Sequence, residues 1–290
     1  MMIDTEYNIQ NSSIPNKQEF RYQLMHQINK INREKHQNME TKVSSHRILI
    51  ATINKIKNHL TINKADKGNV FTIENKDSQI QKVTDYLDDP IFSKLKSDPI
   101  IKFQNKIKHM IKQNNLIFNG WGAKNANPSK PIFHTATKVH KQHYPIRPIV
   151  NYKSAPAYYS KKLLSHILKL KLILDKYNIK NSTELTKQLH KIKLSPNLKF
   201  ISFHINNMYT NIPVKETIDI IKLQLQQLQE DNNYVQQLVN SLNTVLEQNY
   251  FVYNKEFYLQ LEGLPMGSPI SPIFSEIFLQ YTWNSNILRK

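Results

Sequence analysis

Between Lys138 and Lys153 the sequence crowds cations and rings together: Lys138, His140, Lys141, His143, Tyr144, Arg147, Tyr152 and Lys153. Ammonium and guanidinium groups at this density neutralise phosphates, and interleaved rings stack on bases, so the chemistry they suit is the binding of a polyanion. Arg147 stands out because a guanidinium fork matches phosphate oxygens better than a lysine point charge does. A surface arginine in a turn between Pro145 and Pro148 is the competing reading. Glycine forms a second pattern. The chain has five glycines, and two of them, Gly263 and Gly267, stand beside Pro265, Ser268 and Pro269. Glycine used so sparingly serves geometry, since it lets backbone approach a ligand that a side chain would block. A Pro-rich loop joining a hairpin to a helix is the plainer alternative.

Periodicity supplies the elements that must hold these residues. Lys64-Ala65-Asp66-Lys67-Gly68-Asn69 interrupts two short apolar runs and reads as a turn. Helical spacing follows over 77–87 and 100–114, then a loop over 119–130. A strong helix pattern covers 158–177, with Ser160 as its cap. Phe200–Ile205 alternates as a strand does, with Ile201, Phe203 and Ile205 on one face and Phe200, Ser202 and His204 on the other. Pro213 suits the first turn of an amphipathic helix from Val214. Tyr250–Tyr253 and Glu256–Gln260 read as a hairpin across Asn254-Lys255, although lysine replaces the glycine such a turn prefers. A last helical stretch follows Pro272. Residues 1–60 are polar and rich in Lys, Asn and Gln, and read as an extension, partly helical or disordered.

Composition bounds the function classes. Forty Lys and Arg against 22 Asp and Glu give a net charge of +18 and a pI near 9.7, which favours a polyanionic partner over a neutral one. A solvated surface in a Lys- and Asn-biased proteome would give the same balance. Cysteine is absent, which excludes disulfides and thiolate metal sites and favours an intracellular setting, nuclear or cytoplasmic. No secretory leader and no run of apolar residues long enough to span a bilayer is visible, so no membrane partner is expected.

The order KADKGNVFTIENKD, KVHK, YPIRPIV, FISFHINNMYTNIP and LQLEGLPMGSPISP resembles the reverse transcriptases of Penelope-like retroelements over roughly three quarters of the chain. The resemblance implies an α+β fold, the fingers and part of the palm of a right-hand polymerase, with residues 61–198 as fingers and 199–290 as partial palm. It implies RNA-templated DNA synthesis with Mg²⁺, and an RNA template and DNA primer as partners. On that resemblance Arg147 contacts the incoming nucleotide or template, Tyr209 is a steric gate beneath the sugar, and Gln260 meets the base or sugar. Gly263, Gly267 and Ser268 bring backbone to the nucleotide pocket and template, and Lys138, His140 and Lys141 belong to a basic loop. Here His134-Thr135-Ala136-Thr137 replaces the glycine and proline that the family carries before that loop. Thr210 to Pro213 match the family and are expected to cap the next helix.

The metal site departs from the family pattern. His204 stands where the family has a metal-binding aspartate, and imidazole offers Mg²⁺ neither an oxygen nor a negative charge. From Ser271 to Lys290 the sole acid is Glu276, so the family's paired aspartates have no match there, and a partial palm without a thumb is expected. The expectation is a reverse-transcriptase fragment that holds no Mg²⁺ productively and makes little or no DNA. A non-catalytic module that binds single-stranded nucleic acid, and a structural remnant with an unpaired sheet edge, are the readings that compete with it.

Overall fold

The computed structural model describes residues 59–119, 124–174, 178–179, 181–192 and 201–284, with a few isolated positions before residue 52. The fold is α+β, and the chain divides into two compact units. One unit takes in residues up to Asp88 together with Thr135–Arg147, and the other takes in Asp89–His134 and everything from Pro148. No helix among the described residues is long and apolar enough to cross a membrane.

In the first unit, β1 (Leu60–Lys64) and β2 (Phe71–Asn75) form an antiparallel hairpin across the Lys64–Asn69 turn. Gly68 lies at φ +81, where a side chain would be strained. Helix α1 (Lys76–Leu87) packs on both strands. Its start is set by Asn75, whose side chain accepts from the backbone N–H groups of Asp77 and Ser78.

The second unit holds β3 (Phe92–Leu95), α2 (Ile100–Gln113), α3 (Asn115–Phe118), α4 (Tyr158–Lys171), α5 (Ser182–Leu189), α6 (Val214–Gln227), α7 (Asn232–Leu246), β6 (Tyr250–Tyr253), β7 (Glu256–Gln260) and α8 (Ser271–Asn284). Strands β4 (Ile132–Thr137) and β5 (Ile146–Asn151) complete a five-stranded sheet in the order β3-β7-β6-β4-β5, and their hairpin end belongs to the first unit. The β6–β7 hairpin is antiparallel, and β4 runs parallel to β6 with Ile132 opposite Val252. Asn254 and Lys255 both adopt left-handed backbone, φ 47 and 67, so the two-residue turn forms with lysine in a position that ordinarily favours glycine. Phe251 fastens the sheet, stacking on Phe133 at 5.1 Å and on Tyr258 at 5.8 Å. Helix α7 packs against α2, α3, α4 and α6, burying Leu238, Leu242 and Val245 completely. Leu164, Leu168, Ile221, Leu225 and Phe274 close the same core, the main source of stability here.

Three local expectations need correction. Ile201–Ile205 is not a strand: it has no regular structure, and its apolar face is open, with Phe203 84% exposed. Alternation selects a face but does not supply a ladder partner, and no described strand runs beside this segment. The helix from Tyr158 ends at Lys171, and Ser160 lies buried within it, while Ala157 occupies the cap position without a side-chain bond. Of the residues expected to cap α6, Pro213 takes the cap position, without a side-chain bond, while Thr210 and Asn211 belong to a 3-10 turn, Met208–Asn211, where the Thr210 hydroxyl donates to the Asn207 carbonyl.

Candidate nucleic-acid interface

The hairpin end of β4 and β5 carries the cation cluster. Lys138 N–H donates to the Pro145 carbonyl at 2.9 Å, closing a loop in which His143 and Tyr144 both take left-handed backbone, φ 61 and 46. Consecutive non-glycine residues there are strained, and the loop is held from outside itself by Lys82, whose ammonium donates to the Tyr144 carbonyl at 3.1 Å. His140 and Lys141 are exposed on this loop, and Lys138 and Arg147 are half-buried. Partial burial, then the positive charges of Arg147 and Lys141, hold the Lys138 ammonium below its ordinary value, and Asp66 works in the opposite direction. Three cations are therefore close enough to feel one another.

Asp66 anchors this group. Arg147 Nε lies 2.8 Å from Asp66 Oδ1, an ion pair off the line of a hydrogen bond, with the carboxylate 5% exposed and the arginine 38%. Asp66 N–H donates to the Thr137 carbonyl at 2.9 Å, fixing the turn against β4. The contact is side-on at Nε, so the terminal Nη groups of the fork remain for an anion. Sequence reading singled out this segment as a turn and gave Asp66 no role, because the pairing joins residues 66 and 147 across a long stretch of chain.

The other residues implied by the resemblance lie in the second unit. Tyr209 sits in the 3-10 turn, partly buried against the helical core. Gln260 is 5% exposed, and its amide donates to the Glu262 carbonyl at 2.8 Å. Gly263 takes φ +63, and a Cβ there would lie 2.2 Å from the Thr210 carbonyl oxygen. Gly267 takes φ +99, and a Cβ there would lie 2.2 Å from the Val150 carbonyl oxygen. Both glycines thus admit the protein's own backbone. Their loop is tied on either side, by Leu264 N–H to Tyr209 and by Val150 N–H to the Met266 carbonyl. Ser268 is buried, and its hydroxyl has no hydrogen-bond partner among the described residues.

His204 is exposed, in the unpaired segment. No acidic residue occurs from Leu185 to Lys215, and no described group of three or more His, Asp or Glu side chains lies in metal-binding array. An isolated imidazole beside Asn206 and Asn207 does not fit the oxygen-rich shell Mg²⁺ needs, so no step through a metal is derived from it.

One polar centre escaped sequence reading. Lys161 is completely buried, its ammonium 3.0 Å from Asn249 Oδ1, 3.5 Å from the Gln248 carbonyl and 4.7 Å from the centre of the Tyr152 ring, and it forms no ion pair among the described residues. Burial lowers its pKa to about 7. The sequence does carry the signal: Lys161 stands three and seven residues before Leu164 and Leu168, on the apolar stripe of α4.

No protein-family model matches the chain, and no curated protein matches it in sequence.

Proposed function

We propose that the chain is a polynucleotide-binding domain built on the fingers and part of the palm of a Penelope-like reverse transcriptase. In this reading it grips a phosphate backbone and does not join nucleotides. The observation that supports it most is the gathering of Lys138, Lys141 and Arg147 on one hairpin, with the arginine fork steadied at Nε by Asp66. Fixing the fork beforehand lowers the ordering cost of meeting a phosphate, and the crowded ammonium groups release counterions when a strand binds. Arg147→Ala is expected to weaken binding of a single-stranded oligonucleotide. The slope of log affinity against log salt should fall by about 0.7, the share of one phosphate on a single strand. An unchanged slope would remove Arg147 from the interface.

Primer extension tests the second half of the reading. With primer, template, dNTPs and Mg²⁺, the 290-residue chain should extend nothing above the no-enzyme control. His204→Asp should not change this, because a lone carboxylate in an unpaired segment has no second acid among the described residues to share a metal with. Metal-dependent extension by either protein would overturn the assignment.

A further inference from the structure

The β1–β2 hairpin is turned inside out. Its register sets Ile62 opposite Ile73 and Lys64 opposite Phe71, so these four side chains share one face. That face points to solvent: Ile62 is 48% exposed, Ile73 65% and Phe71 75%. The polar residues of the hairpin point the other way. Glu74 accepts from the Thr137 hydroxyl at 3.2 Å and pairs with Lys82 of α1 at 3.3 Å, and the Thr72 hydroxyl donates to the Asn63 carbonyl. A small sheet ordinarily buries its apolar side, because that burial is what stabilises it. Charge is sorted in the same sense. The Asp66 and Glu74 carboxylates are withdrawn, at 5% and 14% exposure, while Lys64 and Lys67 stand in solvent. The outer surface therefore offers an exposed ring with an ammonium directly across the strand pair, and no carboxylate of the hairpin offsets it.

We propose that this outer face is a stacking platform for single-stranded nucleic acid, with Phe71 beneath a base and Lys64 and Lys67 on the flanking phosphates. The proposal rests on the polyanion-binding reading above and adds a second contact of a different kind, to bases. Stacking on an exposed ring accepts any base, and neighbouring cations hold the strand against the ring. A second copy of the chain fits less well, since its charge of +18 would meet the same lysines.

The test compares two oligonucleotides of equal length, oligo(dT) and a fully abasic strand, binding to the wild-type chain, Phe71→Ala and Phe71→Trp. Phe71 is exposed, so its removal should leave the melting temperature in place. Phe71→Ala should lower affinity for oligo(dT) roughly five- to hundredfold and leave the abasic strand unaffected. Phe71→Trp should restore the loss. No change on oligo(dT), or equal losses on both strands, overturns the platform while leaving the phosphate-binding reading intact. Absence of salt-dependent binding by the wild-type chain to either strand defeats that reading and the platform together. Self-association that disappears in Phe71→Ala, with oligo(dT) binding unaltered, would make the face a contact between copies instead.

Discussion

Gly267→Ala is expected to destabilise the second unit by about 2 to 5 kcal/mol, as strain in left-handed backbone adds to overpacking. At Gly267 the new Cβ would sit 2.2 Å from the Val150 carbonyl oxygen, and that carbonyl belongs to β5, whose N–H is already committed to Met266. Neither partner is the loose end of a flexible side chain, so relief requires the loop or the strand to move. Gly263→Ala should behave alike, because its Cβ would meet the Thr210 backbone at 2.2 to 2.6 Å. Gly68 is the internal control. It shares the positive φ, at +81, yet a Cβ there meets nothing within 4 Å. Gly68→Ala should therefore cost only the conformational share, about 1 to 2 kcal/mol. Urea unfolding followed by circular dichroism reads all three. Equal losses at the three positions would mean that the Gly263–Gly267 loop does not pack as closely on Thr210 and Val150 as described.

Lys161 governs the second large effect. Its amine titrates near pH 7 in the fold, against an ordinary value of 10.5 in the unfolded chain. Between those values the unfolded chain holds a proton that the folded chain lacks, so stability rises with pH across the window. The slope approaches about 1.4 kcal/mol per pH unit, or on the order of 5 kcal/mol over the whole window. Below pH 7 both states are protonated and the penalty is fully present. Tyr152 and Tyr250 act with the opposite sign higher up. Burial raises both phenols above their ordinary 10.0, so stability falls once the unfolded tyrosines begin to ionise. The expected profile climbs from pH 7, peaks near pH 10 and then declines. Lys161→Met should remove the climb and keep the decline. At pH 7 it should also stabilise the protein, because the penalty removed exceeds the roughly 1 to 3 kcal/mol of leaving the Asn249 and Gln248 oxygens without their donor. A climbing limb that survives in Lys161→Met would place its origin elsewhere.

Much of this fold was legible in the sequence, and the failures share a cause. Helices α1, α2, α6 and α8 and the β6–β7 hairpin lie where periodicity puts them, because each is specified by its own local pattern. The Ile201–Ile205 segment has an equally clean pattern and no strand, since a strand exists only through a neighbour that local sequence does not name. The same limit hid the Asp66–Arg147 pair and the Lys161–Asn249 contact, both joining residues far apart in the chain. Turning the β1–β2 face outward runs against the usual inference from apolar alternation: Ile62, Phe71 and Ile73 would ordinarily form the buried side, yet they are exposed while Thr72 and Glu74 on the opposite face are half-buried. Scarcity of glycine pointed correctly to close backbone approach at Gly263 and Gly267, but could not say that the approaching group was the protein itself.

The claim that a clustered site on the β4–β5 hairpin binds nucleic acid is tested most directly by two triple substitutions of equal charge. One removes Lys138, Lys141 and Arg147, and the other removes Lys42, Lys55 and Lys57 from the N-terminal extension. Each protein is titrated with a single-stranded oligonucleotide over a series of salt concentrations. Loss of the hairpin set should flatten the slope of log affinity against log salt by about two units, since each phosphate on a single strand contributes about 0.7. Loss of the N-terminal set should change it far less. Equal losses from the two sets would contradict the account, and would leave the binding as diffuse attraction to a chain of charge +18.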